Sequence, residues 1–183
     1  MIARKLESPR LVCHSSGEVP AESVLEYCIR NKDFLKDTEP EREESFYTLG
    51  EQERLLSKDA SCDNGYRFWL RKKEDPLRVI GTVGLNNIVM GAFRSCFLGY
   101  RLDREELNRG YMTEALARCI DFAFQEIGLH RLEANIMPRN APSLRVVQKL
   151  GFRNEGLSEK YLRINGIWED HIHMVLLNPN EPV

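Results

Sequence analysis

A chain of 183 residues, 42% apolar and 30% charged, is long enough for one well-buried core and short for two ordinary domains, so a single domain over 1–183 is expected. A net charge of −2 gives no global attraction to nucleic acid, so any ribosome contact would need a local patch. No apolar run approaches the roughly 18 residues of a membrane span, MIARKLESPR lacks the apolar core of a secretory signal, and the five cysteines (Cys13, Cys28, Cys62, Cys96, Cys119) contain no CxxC pair; buried reduced thiols in a cytoplasmic protein, with no membrane or nucleic-acid partner, are the expectation.

SPRLVCHS (8–15) reads as a first strand. In VPAESVLEYCIRNKDFL (19–35), Val24, Leu25, Cys28 and Ile29 fall at helical spacing and Pro20 suits a first turn. A polar break, DTEPERE, precedes a second helix in SFYTLGEQERLLSK (45–58). GYRFWLRKK (65–73) and LRVIGTVGLNNIV (77–89) are strands separated by a turn at EDP, and CFLGYRL (96–102) is the next strand. From 111 to 127, Leu116, Cys119, Ile120, Ala123, Phe124 and Ile127 repeat at three and four, which gives a helix one apolar stripe. HRLEANIM (130–137) is a further strand.

NAPSLRVVQKLGF is a short helix with Asn140 as N-cap, Pro142 in its first turn and Gly151 past its end. EKYLRI and IWEDHIHMVLL then flank Asn165-Gly166, the pair that a type I′ hairpin turn favours, and NPNEPV forms a tail. The order βααβββαβαββ predicts an α/β fold, a mixed sheet covered by helices with 96–137 as its parallel unit.

Two helix starts offer places for chemistry, because helix N-termini expose unpaired N–H groups and a partial positive charge. In LNRGYMTEAL, Gly110 is either a plain turn residue or the place where backbone approaches a phosphate, with Arg109 as a neighbouring cation and Thr113 as a hydroxyl. In PRNAPSL, Asn140 and Ser143 satisfy a capping pattern without any function. If both helices follow neighbouring parallel strands, however, the two N-termini share the carboxyl edge of the sheet where α/β ligands bind. Glu133 and Asn135 project to the same side of a strand expected to be apolar, so that side is either a polar cleft or wetter than a core. His171 and His173 alternate on one strand face; a third metal ligand at sensible spacing is missing, so no metal is expected, and Asp170 and His171 read as braces of the hairpin.

FLGYRLDREELNRGYMTEAL, LHRLEANIMPRNAPSLRVVQKLGF and YLRINGIWEDH together resemble the GCN5-related N-acetyltransferases (GNAT). With NKDFLKDTEPEREES and IVMGAFRSCFLGY they are most similar to the RimJ branch of the RimJ/RimL-type ribosomal-protein-alanine N-acetyltransferases, over about 11–177. The resemblance implies a mostly antiparallel sheet of about seven strands with about four helices, two central parallel strands splaying apart for acetyl-CoA. The family's pyrophosphate loop, Gln/Arg-x-x-Gly-x-Gly/Ala, falls on Leu107, Asn108, Arg109, Gly110, Tyr111 and Met112; only Gly110 is kept. The cradle is built from backbone N–H groups, so Leu107 and Met112 need not abolish it. By resemblance, the pantetheine arm pairs with the strand near Tyr100 and Leu102, and the backbone from Leu98 to Tyr100 is placed to donate to an oxyanion where the sheet splays open. Asn140 matches the asparagine that holds the arm from the other side, and Ser143 the serine proposed as acid towards the leaving thiolate.

Direct transfer of acetyl from the thioester to an amine needs a neutral amine, donors for the oxyanion and an acid for the sulfur. Glu133 and Glu159 are the candidate bases, and the acid that many relatives carry where Phe97 stands is absent. The expected acceptor is the N-terminal α-amine of an Ala- or Ser-initiated protein, whose ordinary pKa of about 7.7 to 8.0 leaves a useful neutral fraction. A small amine (polyamine, amino acid or antibiotic) is the alternative, as is a coenzyme A-binding module without turnover. Monomer and homodimer both remain open.

Overall fold

The structure, a computed structural model, describes residues 4–181, so Pro182 and Val183 of the predicted tail lie outside the described residues. Eight strands form one sheet: β1 (Lys5–Glu7), β2 (Leu11–Ser15), β3 (Tyr66–Lys72), β4 (Asp75–Val89), β5 (Ser95–Leu102), β6 (Arg131–Ile136), β7 (Arg153–Ile164) and β8 (Ile167–Leu177), in the order β1-β2-β3-β4-β5-β6-β8-β7. The helices are α1 (Ala21–Arg30), α2 (Lys32–Leu35), α3 (Leu49–Ala60), α4 (Tyr111–Asp121) and α5 (Ala141–Lys149). Every strand pairing is antiparallel except β5 with β6.

The sheet has one strand more than expected, because β1 is only three residues long, too short for its exposed-buried-exposed alternation to stand out in a sequence pattern. The helix expected from 45 begins at Leu49, after a 3₁₀ turn over Glu44–Tyr47. The helix expected over 111–127 is α-helical to Asp121 and then widens into a π turn, closed by Ile127 N–H donating to the Phe122 carbonyl at 3.1 Å. Asn165 and Gly166 both have positive φ, +48° and +83°, as a type I′ turn requires, and this locks the β7–β8 hairpin.

The side-chain period of two gives each strand two unlike faces. Cys96, Leu98, Tyr100 and Leu102 of β5, Leu132, Ala134 and Ile136 of β6, and Ile172, Met174 and Leu176 of β8 join one core with the apolar stripe of α4 and with Val147 of α5. On the opposite face α1 and α3 cover Trp69 and Val79 through Val24, Tyr27, Cys28 and Leu56. That second layer leaves Asn86, Phe97, Gly99, Asn135 and the β8 histidines outside its core.

Between β5 and β6 the parallel ladder has only three rungs: Ser95 opposite Arg131, Cys96 opposite Leu132 and Phe97 opposite Glu133. Beyond them β5 runs on to Leu102 paired with β4 alone, and β6 runs on to Ile136 paired with β8 alone. The strands part, and the β5 backbone over 98–102 has no strand on that side, so its N–H and C=O groups are available to a ligand.

Candidate active site

The gap opens into a cleft of about 1010 Å³ that reaches both faces of the sheet. Leu98, Tyr100, Leu102, Leu107, Asn108, Gly110, Tyr111, Met112, Thr113, Asn140 and Ser143 all line it, so eleven residues expected at a coenzyme site from the sequence are brought together. Arg109 is not on the wall: its guanidinium pairs with Glu106 at 3.0 Å and remains half exposed.

The loop from Asp103 to Gly110 is shaped by buried charge. Asp103 caps a 3₁₀ turn by accepting the Glu105 N–H at 3.1 Å, and it receives Arg30 Nε at 2.7 Å and Arg78 Nη2 at 3.1 Å. Burial pushes its carboxyl up, but the Glu105 amide and the two guanidinium groups outweigh this and hold it below the usual carboxylate range. Asn108 (φ +60°) and Gly110 (φ +78°) then turn the chain through left-handed conformations into α4. The first intrahelical bond is Glu114 N–H to the Gly110 carbonyl at 3.0 Å, which leaves the amides of Tyr111, Met112 and Thr113 unpaired at the cleft. Met112 is 5% exposed and joins the core, while it also borders the cleft.

Arg10, which the sequence does not single out, clamps this loop from β2's flank. Its Nη1 donates to the Arg109 carbonyl at 3.0 Å, its Nε to Glu114 at 2.7 Å, and its guanidinium lies 4.5 Å from the Tyr111 ring centroid. Arg145 and Lys149 of α5 also line the cleft and supply cations at the same mouth. Only the tertiary fold reveals them, because basic residues on an exposed helix face carry no motif.

At α5, Asn140 is an N-cap: its Oδ1 accepts the Ser143 N–H at 3.2 Å, which leaves the amide NH₂ for a ligand. The Ser143 carbonyl accepts from the Tyr100 hydroxyl at 2.9 Å, whereas the Ser143 hydroxyl makes no hydrogen bond among the described residues. Asn140 thus caps the helix and lines the cleft at once.

On the other face, Glu133 is buried at 6% exposure and does not line the cleft. Its Oε1 accepts from Ser95 Oγ at 3.0 Å and Arg131 Nε at 2.8 Å, and its Oε2 lies 2.9 Å from His173 Nε2. His173 Nδ1 meets Asn135 Oδ1 at 2.6 Å, and Asn135 Nδ2 donates to the Tyr161 hydroxyl at 3.1 Å, so Glu133 anchors a chain of side chains that crosses β6, β8 and β7. Glu159 is exposed on β7, away from the cleft. Asp170 braces the hairpin, accepting the Lys160 N–H at 2.8 Å. His171, read from sequence as a second brace, instead lines the cleft. No group of three or more His, Cys, Asp or Glu residues is placed to hold a metal ion among the described residues.

A sheet split between two parallel strands, with a capless helix start at one lip and free strand backbone at the other, defines a coenzyme A-dependent acyl-transfer fold. An acetyltransferase (GNAT) domain model matches residues 22–153, and the chain accordingly belongs to the GCN5-related N-acetyltransferases, enzymes that take acetyl from acetyl-CoA. Two relatives in particular are similar over most of their length. The probable N-acetyltransferase YjcK of Bacillus subtilis is 40% identical over 88% of this chain and 90% of its own. The [ribosomal protein uS5]-alanine N-acetyltransferase of Escherichia coli is 34% identical over 96% of this chain and 92% of its own. The solved ribosomal-protein-S5-alanine acetyltransferase of Vibrio fischeri superposes with a TM-score of 0.88 at 34% identity, covering 98% of this chain and all of the other. The protein is an N-acetyltransferase of the kind to which the RimJ-type enzymes belong.

Proposed function

We propose that this enzyme acetylates the N-terminal α-amine of a protein with a small first residue, alanine or serine. The observation that supports this most directly is the charge of the cleft on the side of α1 and α2. Asp37 and Glu39 line it against Arg42, Arg67, Arg101 and Arg139, and Glu39 is already bonded to Arg101 at 2.8 Å. Arg67 and Arg139 are paired with Asp59 and Glu169 at 2.7 Å, so a polyamine, with several ammonium groups to place, finds no surplus of carboxylates there. An N-terminal segment brings one amine and backbone groups that pair with its neighbours. The alanine named in the E. coli and V. fischeri relatives agrees with this reading.

The chemistry is direct. The amine attacks the thioester carbonyl, the oxyanion meets backbone N–H groups where β5 loses its partner, and Ser143 Oγ protonates the departing sulfur. Acetyl-CoA would lie with its pyrophosphate on the unpaired amides of Tyr111, Met112 and Thr113, its arm along β5 and its amides against Asn140. The test is turnover followed as thiol release with Ala- and Ser-initiated peptides, spermidine, free amino acids and aminoglycosides. Acetylation of the peptides and not of spermidine is expected; preference for spermidine would overturn the assignment, and coenzyme binding without turnover of any amine would favour a binding module.

A further inference from the structure

We propose that His171 is the general base that removes the proton from the attacking amine. Three observations carry this. His171 lines the cleft from β8, on the sheet face opposite the α4–α5 core, so it and Ser143 line the same opening from opposite faces. In the register of β8 against β6, His173 stands opposite Asn135 and Ile172 opposite Ile136, which puts His171 just beyond the end of β6. From that end the chain leads through Asn140 to Ser143 at the start of α5.

The second observation is the tautomer. His171 Nδ1 lies 3.0 Å from the Glu169 carbonyl oxygen, which can only accept, so Nδ1 carries the proton and the lone pair of the neutral ring is on Nε2. Nε2 makes no hydrogen bond among the described residues, and it is not one of the buried unpartnered atoms, so it is open to the cleft. The third is rigidity: the residue is 3% exposed and its ring lies 5.5 Å from that of Tyr161. A fixed ring with one free lone pair at a cleft wall is what proton abstraction needs.

The other titratable groups of that wall are engaged. Glu169 is bonded to Arg139 at 2.7 Å, Asp170 to the Lys160 amide, and the Tyr161 hydroxyl to Asn135. Both nitrogens of His173 are occupied, by Glu133 and by Asn135. In the step itself His171 Nε2 takes one proton of the ammonium, the freed amine forms the C–N bond, and the C–S bond breaks as the sulfur takes a proton from Ser143. The second nitrogen proton passes to solvent, which reprotonates Ser143 and discharges His171. His171 requires amine transfer as such and is indifferent to which amine is accepted, so it rests only on the acetyl-transfer part of the proposed function.

His171→Gln and His171→Asn, compared with the parent on its best acceptor, test the assignment. A loss of roughly tenfold in kcat is expected near neutral pH, where about a tenth of the α-amine is already neutral, with acetyl-CoA affinity unchanged. The deficit should shrink as pH rises past the α-amine pKa of about 7.7 to 8.0, where free amine needs no base. A deficit constant with pH, or none, overturns the role. Nitrogen-15 NMR of the unmutated protein is independent of how the variants fold: for the neutral ring of His171 the Nδ1–H tautomer is expected, and the Nε2–H tautomer refutes the assignment. A parent that turns over no amine refutes the proposed function instead.

Discussion

The Tyr100 hydroxyl donates to the Ser143 carbonyl at 2.9 Å, and this bond joins β5 to the first turn of α5 across the parted strands. Burial pushes the phenol up to about 12, more than its bond to Ser143 brings it down, so it stays a donor throughout the neutral range. Tyr100→Phe should cost about 1 kcal/mol, seen as a melting temperature lower by about 2–4 °C. If α5 shifts, the KM for acetyl-CoA rises as well, by up to about fivefold for the same energy. Thermal melts and acetyl-CoA titration measure the two separately.

Ser143→Ala removes a hydroxyl that is free of other bonds. The backbone bonds of Ser143 to Asn140 and Tyr100 survive the change, so the fold should too. A kcat lower by roughly 10²-fold with little change in acetyl-CoA affinity is expected for the loss of an acid. Parental kcat would exclude Ser143 from that role.

Gly110 has φ +78°, and a Cβ there would meet only Arg10 Nη2, at 3.5 Å. Space is therefore available on the Arg10 side, and the penalty of substitution is conformational. Gly110→Ala should lose about 1–2 kcal/mol of stability, whereas Gly110→Val adds branched bulk beside the amides of α4 and should weaken coenzyme A binding further than alanine does. Calorimetry on both variants separates strain from obstruction; equal coenzyme affinity for parent and valine variant would reduce the loop to a turn.

Asp103 titrates below its ordinary value in the folded protein, so its partners contribute stability that is complete above the ordinary carboxylate pKa of about 3.9. That contribution is lost as pH falls through the depressed value. Asp103→Asn should therefore cost on the order of 2 kcal/mol at neutral pH, and the difference from the parent should close in acid. Denaturant unfolding at neutral and acid pH follows this; a deficit that does not close would mean that Arg30 and Arg78 recognise shape rather than charge.

The elements, the I′ turn at Asn165 and Gly166, the capping by Asn140 and the left-handed glycine before α4 are all short-range features. Hydrophobic period, cap chemistry and positive φ act within a few residues, so the sequence alone determines them, and motif resemblance supplies the family. What the sequence does not determine is who meets whom across the sheet. Glu133 reads as a base because it breaks an apolar strand, yet Arg131, Ser95 and His173 surround it. His171 and His173 read as equals because they alternate on one strand, but strand pairing sets His173 between Asn135 and Glu133 and leaves His171 with its own strand's carbonyl and a free nitrogen. Those partners come from distant parts of the chain, and their approach depends on register and on where β5 and β6 part. Long-range pairing fixes both, and only the folded chain exhibits it.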